Sequence, residues 1–214
     1  MKWLLPVSAA TGIALAFDKA TLEAIGTSDT QRADSFKTVS DVTGIYVPLA
    51  GIGASLALGY GRHDPHLAET GWLAGEAMID ATIVSTALKY GVNRDRPDQG
   101  DHNGEMWSDE TSGYPSGLSF PSGHAMAAWA FAHVVADEYP SWKVKLAVYL
   151  LASTASASRV MGRAHFPSDV VVGSTMGYLI GGYVYNHHSS RSKHAISLMP
   201  VMGNHSAGFA MQIH

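Results

Sequence analysis

The chain has 214 residues, 46% of them hydrophobic and 15% charged, with a formal net charge of −4. That length supports one well-buried core without forcing a second domain. The acidic balance excludes general nucleic-acid binding, which needs a basic surplus to hold a phosphate backbone. The absence of cysteine excludes disulfides, thiolate metal sites and cysteine nucleophiles, and leaves the compartment open.

Lys2, the apolar run Trp3 to Ile13 and the triplet Ala14-Leu15-Ala16 fit two readings. One is a secretory signal with a small-residue cleavage site; the other is a first helix over 3–17, lying on the body of the protein or on a membrane surface. The single lysine and Pro6 weigh against the signal. Helix-compatible spacing or length recurs at 45–60, 70–92, 124–138, 143–161 and 168–187, punctuated by Gly, Pro or Asp. The expected fold is therefore all-α, a compact bundle of about six helices. Within 70–92, Trp72, Ile79, Ile83, Ala87 and Tyr90 share one face, which predicts the buried side of that helix. Glu76 lies within that face and is expected to be buried in a structural ion pair.

Residues 98–120 form the main irregular segment, rich in turn formers and long for a connector. It is placed to cover a site and shape substrate choice. Inside it, Pro115-Ser116-Gly117 reads as a turn. Residues 195–214 change character: Ile196, Leu198, Phe209, Met211 and Ile213 alternate with small or polar residues around a Gly203–Gly208 turn, a hairpin signal. The expected division is one helical domain over 1–194 followed by that tail.

Twenty uncharged residues separate Asp41 from Arg62, and twenty-one separate Asp169 from Arg191. Both runs reach the roughly 20 residues a membrane span needs. The first contains five glycines and the second ends in Asn186-His187-His188-Ser189-Ser190, so they read as core helices of the bundle, with peripheral membrane attachment left open.

Three short stretches carry chemistry: Lys89-x6-Arg96-Pro97, Pro121-Ser122-Gly123-His124, and Ser158-Arg159-x5-His165-x3-Asp169. Lys89 and Arg96 would project from one side of a helix continued between them, an ammonium and a guanidinium converging on one anion. Ser122 is a plausible N-cap, and Gly123 lets the backbone approach a ligand, with the amides and dipole of the following helix behind it. Asp169 next to His165 can accept from one ring nitrogen and leave the other to attack phosphorus. Fixed cations with histidines suit a bound phosphate. Although there are eleven histidines, His63-x2-His66 and His187-His188 lack ligand partners at helical spacing, so no metal is expected.

In this order and spacing the motifs resemble those of the type 2 phosphatidic acid phosphatase superfamily, which includes lipid phosphatases, bacterial non-specific acid phosphatases and vanadium haloperoxidases. The resemblance covers Lys89 to Asp169. It implies a helical bundle and a metal-independent two-step hydrolysis of phosphate monoesters or pyrophosphates. His165 would form a phosphohistidine, Asp169 would orient it, and His124 would protonate the leaving oxygen and then activate water. Lys89, Arg96, Arg159, Ser122 and the Gly123 amide would hold the phosphate. No cofactor is implied, although vanadate or phosphate could occupy the site. The expected partner is a phosphorylated lipid or other amphiphilic substrate, with peripheral or integral membrane association at a bacterial envelope. A soluble acid phosphatase, a haloperoxidase and a non-catalytic phosphate-lipid-binding envelope protein are the competing readings.

Overall fold

The computed structural model describes residues 4–26, 30–97, 104–107, 118–192, 196–203 and 206–213. The bundle consists of α1 (Leu4–Ile25), α2 (Thr30–Asp41), a π-helical turn (Val42–Tyr46), α3 (Val47–Arg62), α4 (Pro65–Val92), α5 (Gly123–Glu138), α6 (Trp142–Met161) and α7 (Pro167–His188). The π turn joins α2 and α3 into one rod of 33 residues, Thr30–Arg62, so the expected six-helix bundle is present as six rods. The polar Thr30–Asp41 stretch lies outside the predicted helices. Beyond the bundle, β1 (Ile196–Gly203) and β2 (Ser206–Ile213) pair antiparallel, with Ile196 opposite Ile213. Most of the 98–120 segment, including Pro115-Ser116-Gly117, lies outside the described residues.

Local sequence sets the helix ends. Asp64 caps α4 by accepting from Leu67 N at 3.1 Å, with Pro65 in the first turn, and Ser141 caps α6 by accepting from Val144 N at 3.3 Å. Asn93, in the left-handed region at φ 43, closes α4.

Helix α5 is the central rod. Its buried residues Ala125, Met126, Ala130, Phe131 and Val134 run around the helix, as a rod enclosed by neighbours requires. Helix α7 lies against it in parallel. A Cβ at Gly173, Gly177 or Gly181 would be driven into the carbonyl oxygens of Ser122, Met126 and Ala130 in turn, so this four-residue glycine repeat is what permits the close approach. At the far end of the bundle, the buried Glu138 accepts from His66 Nε2 at 2.8 Å and Ser189 Oγ at 2.7 Å, fastening α4, α5 and the end of α7 together. At the near end α4 and α6 finish while α5 and α7 begin.

The predicted buried face of α4 points outward. Trp72, Ile79 and Ile83 are 61%, 62% and 61% exposed, while Gly71, Ala74, Ala77 and Ala81 are buried. Close packing takes the small residues inward and leaves the large ones outside. Glu76 is half-exposed and not buried, and its ion pair is with His188 Nδ1 at 2.7 Å. Large apolar side chains are also exposed on α1 (Ile13, Phe17), α3 (Leu49, Leu58), α6 (Leu146, Leu150) and α7 (Leu179, Tyr183).

Candidate active site

The near end of the bundle gathers the sequence-predicted residues. Lys89 sits in the last turn of α4. The helix does not continue to Arg96: it stops at Val92, and Arg96 stands in the loop that follows, near enough for its charge to act on Lys89. Lys89 Nζ donates to Leu118 O. Burial and the adjacent Arg96 lower the Lys89 ammonium to about 8, Asp169 opposing and Arg159 adding to the effect.

Ser122 occupies the N-cap position of α5, yet its hydroxyl caps nothing. The first turn is closed by Met126 N donating to Ser122 O at 3.0 Å, and the buried Oγ has no hydrogen-bond partner among the described residues. A Cβ at Gly123 would stand 3.4 Å from Ser85 Oγ and 3.7 Å from Lys89 Cε, so the glycine brings the start of α5 against Lys89. His124 follows, its Nε2 2.9 Å from Asp41 Oδ1. Arg159, buried in the last turn of α6, directs NH1 to the same oxygen at 3.4 Å. Burial and Arg159 push His124 down to about 4, with Asp41 opposing and Lys89 adding to the lowering.

His165 is buried in the loop between α6 and α7. Its Nδ1 faces Asp169 Oδ2 at 3.5 Å and Ser119 Oγ at 3.4 Å, and its Nε2 makes no hydrogen bond among the described residues. Burial lowers His165 to about 4 against the pull of Asp169, with Lys89 and Arg159 reinforcing the lowering. The imidazole is therefore neutral at physiological pH, as a nucleophile must be.

Asp169 belongs to the helix as well as to the site. As third residue of α7 it accepts from Phe166 N at 3.0 Å, and it takes Ser119 Oγ at 2.6 Å and Arg94 NH1 at 2.6 Å. Burial opposes its ionisation; the bonds from His165, Arg94 and Ser119 overcome that and hold the carboxyl below the usual carboxylate range.

Four further residues build this cluster without a motif to mark them: Asp41, Arg94 and Ser119 touch it directly, and Asp18 reaches it through Arg94. Arg94, two residues before Arg96, is buried across the Phe166 ring at 4.1 Å. It donates to Asp169, to Ser168 Oγ at 2.7 Å and to Asp18 Oδ2 at 2.8 Å. Asp18, on α1, also accepts from Ser168 N at 2.9 Å and Ser168 Oγ at 2.6 Å, which fastens α1 to the start of α7. The sequence signal for Asp18 and Asp41 is a lone carboxylate bordering an apolar run.

Besides the buried Arg94, the cluster thus holds Lys89, Arg96 and Arg159, two histidines, a buried hydroxyl with no partner among the described residues, and the amides of a helix start. Among the described residues, no group of three or more His, Asp or Glu side chains is arranged to hold a metal. Crowded cations of this kind gain from an anion that neutralises them together, and a phosphoryl group supplies that charge.

Comparison with known proteins points the same way. A family model described as the PAP2 superfamily matches residues 70–193, a span that contains all eight predicted site residues. Lipid A 1-phosphatase of Rhizobium etli is 35% identical over 100 residues, covering 47% of this chain and 42% of the relative. Decaprenylphosphoryl-5-phosphoribose phosphatase of Mycobacterium tuberculosis is 35% identical over 114 residues, covering 53% of this chain and 59% of the relative. The chain thus matches about half the length of these curated relatives. The fold resembles the transmembrane PAP2 type phosphatidylglycerolphosphate phosphatase from Bacillus subtilis, with a TM-score of 0.61 and 20% identity over 86% of this chain and 94% of that one. It also resembles Aquifex aeolicus LpxE, with a TM-score of 0.52 and 18% identity over 80% and 96%.

Proposed function

Because the chain belongs to the PAP2 superfamily, we propose that it hydrolyses the phosphate monoester or diphosphate of a lipid or other amphiphilic substrate through a phosphohistidine on His165, without a metal. The observation that carries this reading is the buried neutral His165, its Nδ1 turned to Asp169 and its Nε2 unengaged among the described residues, set beside Lys89 and Arg159, which also act on His124. In the first step the Nε2 lone pair forms the N–P bond as the P–O bond to the leaving group breaks. Asp169 stabilises the charge that develops on the ring, and His124 supplies the proton the leaving oxygen needs. In the second step His124 takes a proton from water, the hydroxide attacks phosphorus, and the N–P electron pair returns to His165. Lys89, Arg96 and Arg159 hold the phosphoryl oxygens, with Ser122 Oγ and the Gly123 amide completing the cradle.

The apolar exterior favours an amphiphilic substrate over a small soluble ester. Thr30–Arg62 is long and apolar enough to cross a membrane, its uncharged part following Asp41. We place the enzyme at a bacterial envelope, membrane-associated, with the site at the end of the bundle where a headgroup can enter. The test is a substrate panel of long-chain and short-chain phosphates, with and without detergent micelles and with excess chelator. Turnover that persists in chelator and favours the long-chain ester in micelles is expected, as is a trapped phosphoenzyme that vanishes in His165→Ala. Loss of activity in chelator, or a labelled His165→Ala, refutes the mechanism.

A further inference from the structure

Asp41 is the carboxylate beside His124, and the hydrolysis as written gives it no task. Its position is built, not incidental. Ser40 Oγ bonds Ala155 O at 3.0 Å, fixing the end of α2 on α6. The π turn begins immediately after Asp41, and a Cβ at Gly44 would lie 3.3 Å from Ala155 Cβ and 3.5 Å from His124 O. Gly44 therefore lets the rod press onto the start of α5, and π turns of this kind recur at functional positions. The result is a carboxylate oxygen 2.9 Å from His124 Nε2 and 3.4 Å from Arg159 NH1.

Resting on the phosphatase reading, we infer that Asp41 is the positioning residue of His124. It holds Nε2–H so that Nδ1 carries the proton delivered to the leaving oxygen. The site then contains two carboxylate–histidine pairs of opposite sense. Asp169 faces Nδ1 of His165 and leaves Nε2 to attack; Asp41 binds Nε2 of His124 and leaves Nδ1 to protonate. Atoms and charge balance: as the P–O bond breaks, its electron pair goes to the leaving oxygen, which takes the Nδ1 proton. His124 is left neutral and still bonded to Asp41 through Nε2–H.

Electrostatics supplies the reason for a carboxylate here. The charged groups facing His124 are Asp41 from α2, Lys89 from α4 and Arg159 from α6. The two cations that hold phosphate also oppose protonation of the acid, and Asp41 is the fixed negative charge that opposes them. The same carboxylate competes with phosphate for Arg159, so removing it should leave substrate binding no weaker while damaging proton transfer.

The test compares an alkyl phosphate, whose alkoxide must be protonated to leave, with p-nitrophenyl phosphate, whose phenolate need not be. In Asp41→Asn, the single-turnover rate of phosphoenzyme formation from the alkyl ester should fall about tenfold to a hundredfold, with substrate affinity not weakened, while the rate of the p-nitrophenolate burst changes less than about threefold. The basic limb of that alkyl-ester rate should move down by about one pH unit. Asp41→Glu should recover most of the alkyl-ester rate. Equal losses in the two phosphoenzyme-formation rates, or an unmoved limb, would overturn the assignment while leaving the phosphatase reading intact. If Asp41→Asn loses its far-ultraviolet helical signal, Asp41→Ser is read in its place by the same criteria. Failure of the wild-type protein to hydrolyse either ester would overturn the phosphatase reading and this inference with it.

Discussion

Replacing Arg94 by Gln probes the network beneath the nucleophile most directly. One buried guanidinium serves two buried carboxylates, Asp169 at 2.6 Å and Asp18 at 2.8 Å. Arg94→Gln leaves both carboxylates without their cation. Breaking a buried pair in this way costs about 3–5 kcal/mol, and at about 2–4 °C per kcal/mol for a chain of this size the melting temperature should drop by roughly 6–20 °C. Asp18→Asn removes one of the two negative charges and keeps an acceptor for Ser168, so alone it should cost no more than about 1 kcal/mol. Because the damage in Arg94→Gln is excess negative charge, the double variant should be more stable than Arg94→Gln alone, a coupling readable in a double-mutant cycle. The catalytic readout has its own sign. Arg94 helps hold Asp169 ionised, so its loss raises the carboxyl and moves the acid limb of activity to higher pH. Thermal unfolding in detergent and a pH–rate profile measure both. A melting shift within about 2 °C, or strictly additive losses, would refute the charge argument.

His165→Ala and His124→Ala should each lower turnover of alkyl phosphates by orders of magnitude with helicity intact, checked by steady-state kinetics and circular dichroism. Stability should fall as pH drops from about 6.5 toward 4. Over that window the unfolded chain protonates the His165 position while the folded one, lowered to about 4, does not. The contribution is therefore complete above the unfolded value and amounts to roughly 3 kcal/mol. Melting curves between pH 4 and 7 should show it, and His165→Gln should flatten the slope. Gly177→Ala drives a methyl into the Met126 carbonyl and should cost about 1–3 kcal/mol by overpacking, seen as a lower melting temperature with the unfolding signal otherwise unchanged.

What was legible in the sequence follows from the range of the interactions involved. Helix count, the C-terminal end of α4 and both ends of α6 and α7 depend on caps and periodicity within a few residues, and they are legible close to where they stand, whereas α4 starts at Pro65 and not at residue 70. The face of α4 was read inverted because periodicity locates an apolar stripe without saying what medium it meets. Gly71, Ala74, Ala77 and Ala81 carry the weaker hydrophobic signal and yet form the buried side. Thr30–Asp41 was missed because its surface is polar and its helix is held by packing on α6. Among the residues gathered at the near end, Lys89, Ser122, His124, Arg159, His165 and Asp169 lie in motifs in which each residue identifies its neighbour. Asp18 meets Ser168 across 150 residues, and Arg159 meets Asp41 across 118. No local pattern marks either pair.

Asp169 shows why fold and chemistry are hard to separate here. An ionised carboxylate offers about four acceptor positions. Oδ1 takes Arg94, while Oδ2 already holds Phe166 N and Ser119 Oγ, so His165 Nδ1 stands at 3.5 Å, beyond a good hydrogen bond. Phosphoryl transfer would place a positive charge on that ring, and the charge, not a pre-formed short bond, is what draws ring and carboxylate together. The bond from Phe166 N that starts α7 also fixes where Oδ2 can be. The helix cap thereby sets the distance from which Asp169 acts, and a substitution at Asp169 strikes helix and nucleophile at once. Arg94 and Ser119, one bond removed, are the positions at which the two can be measured apart.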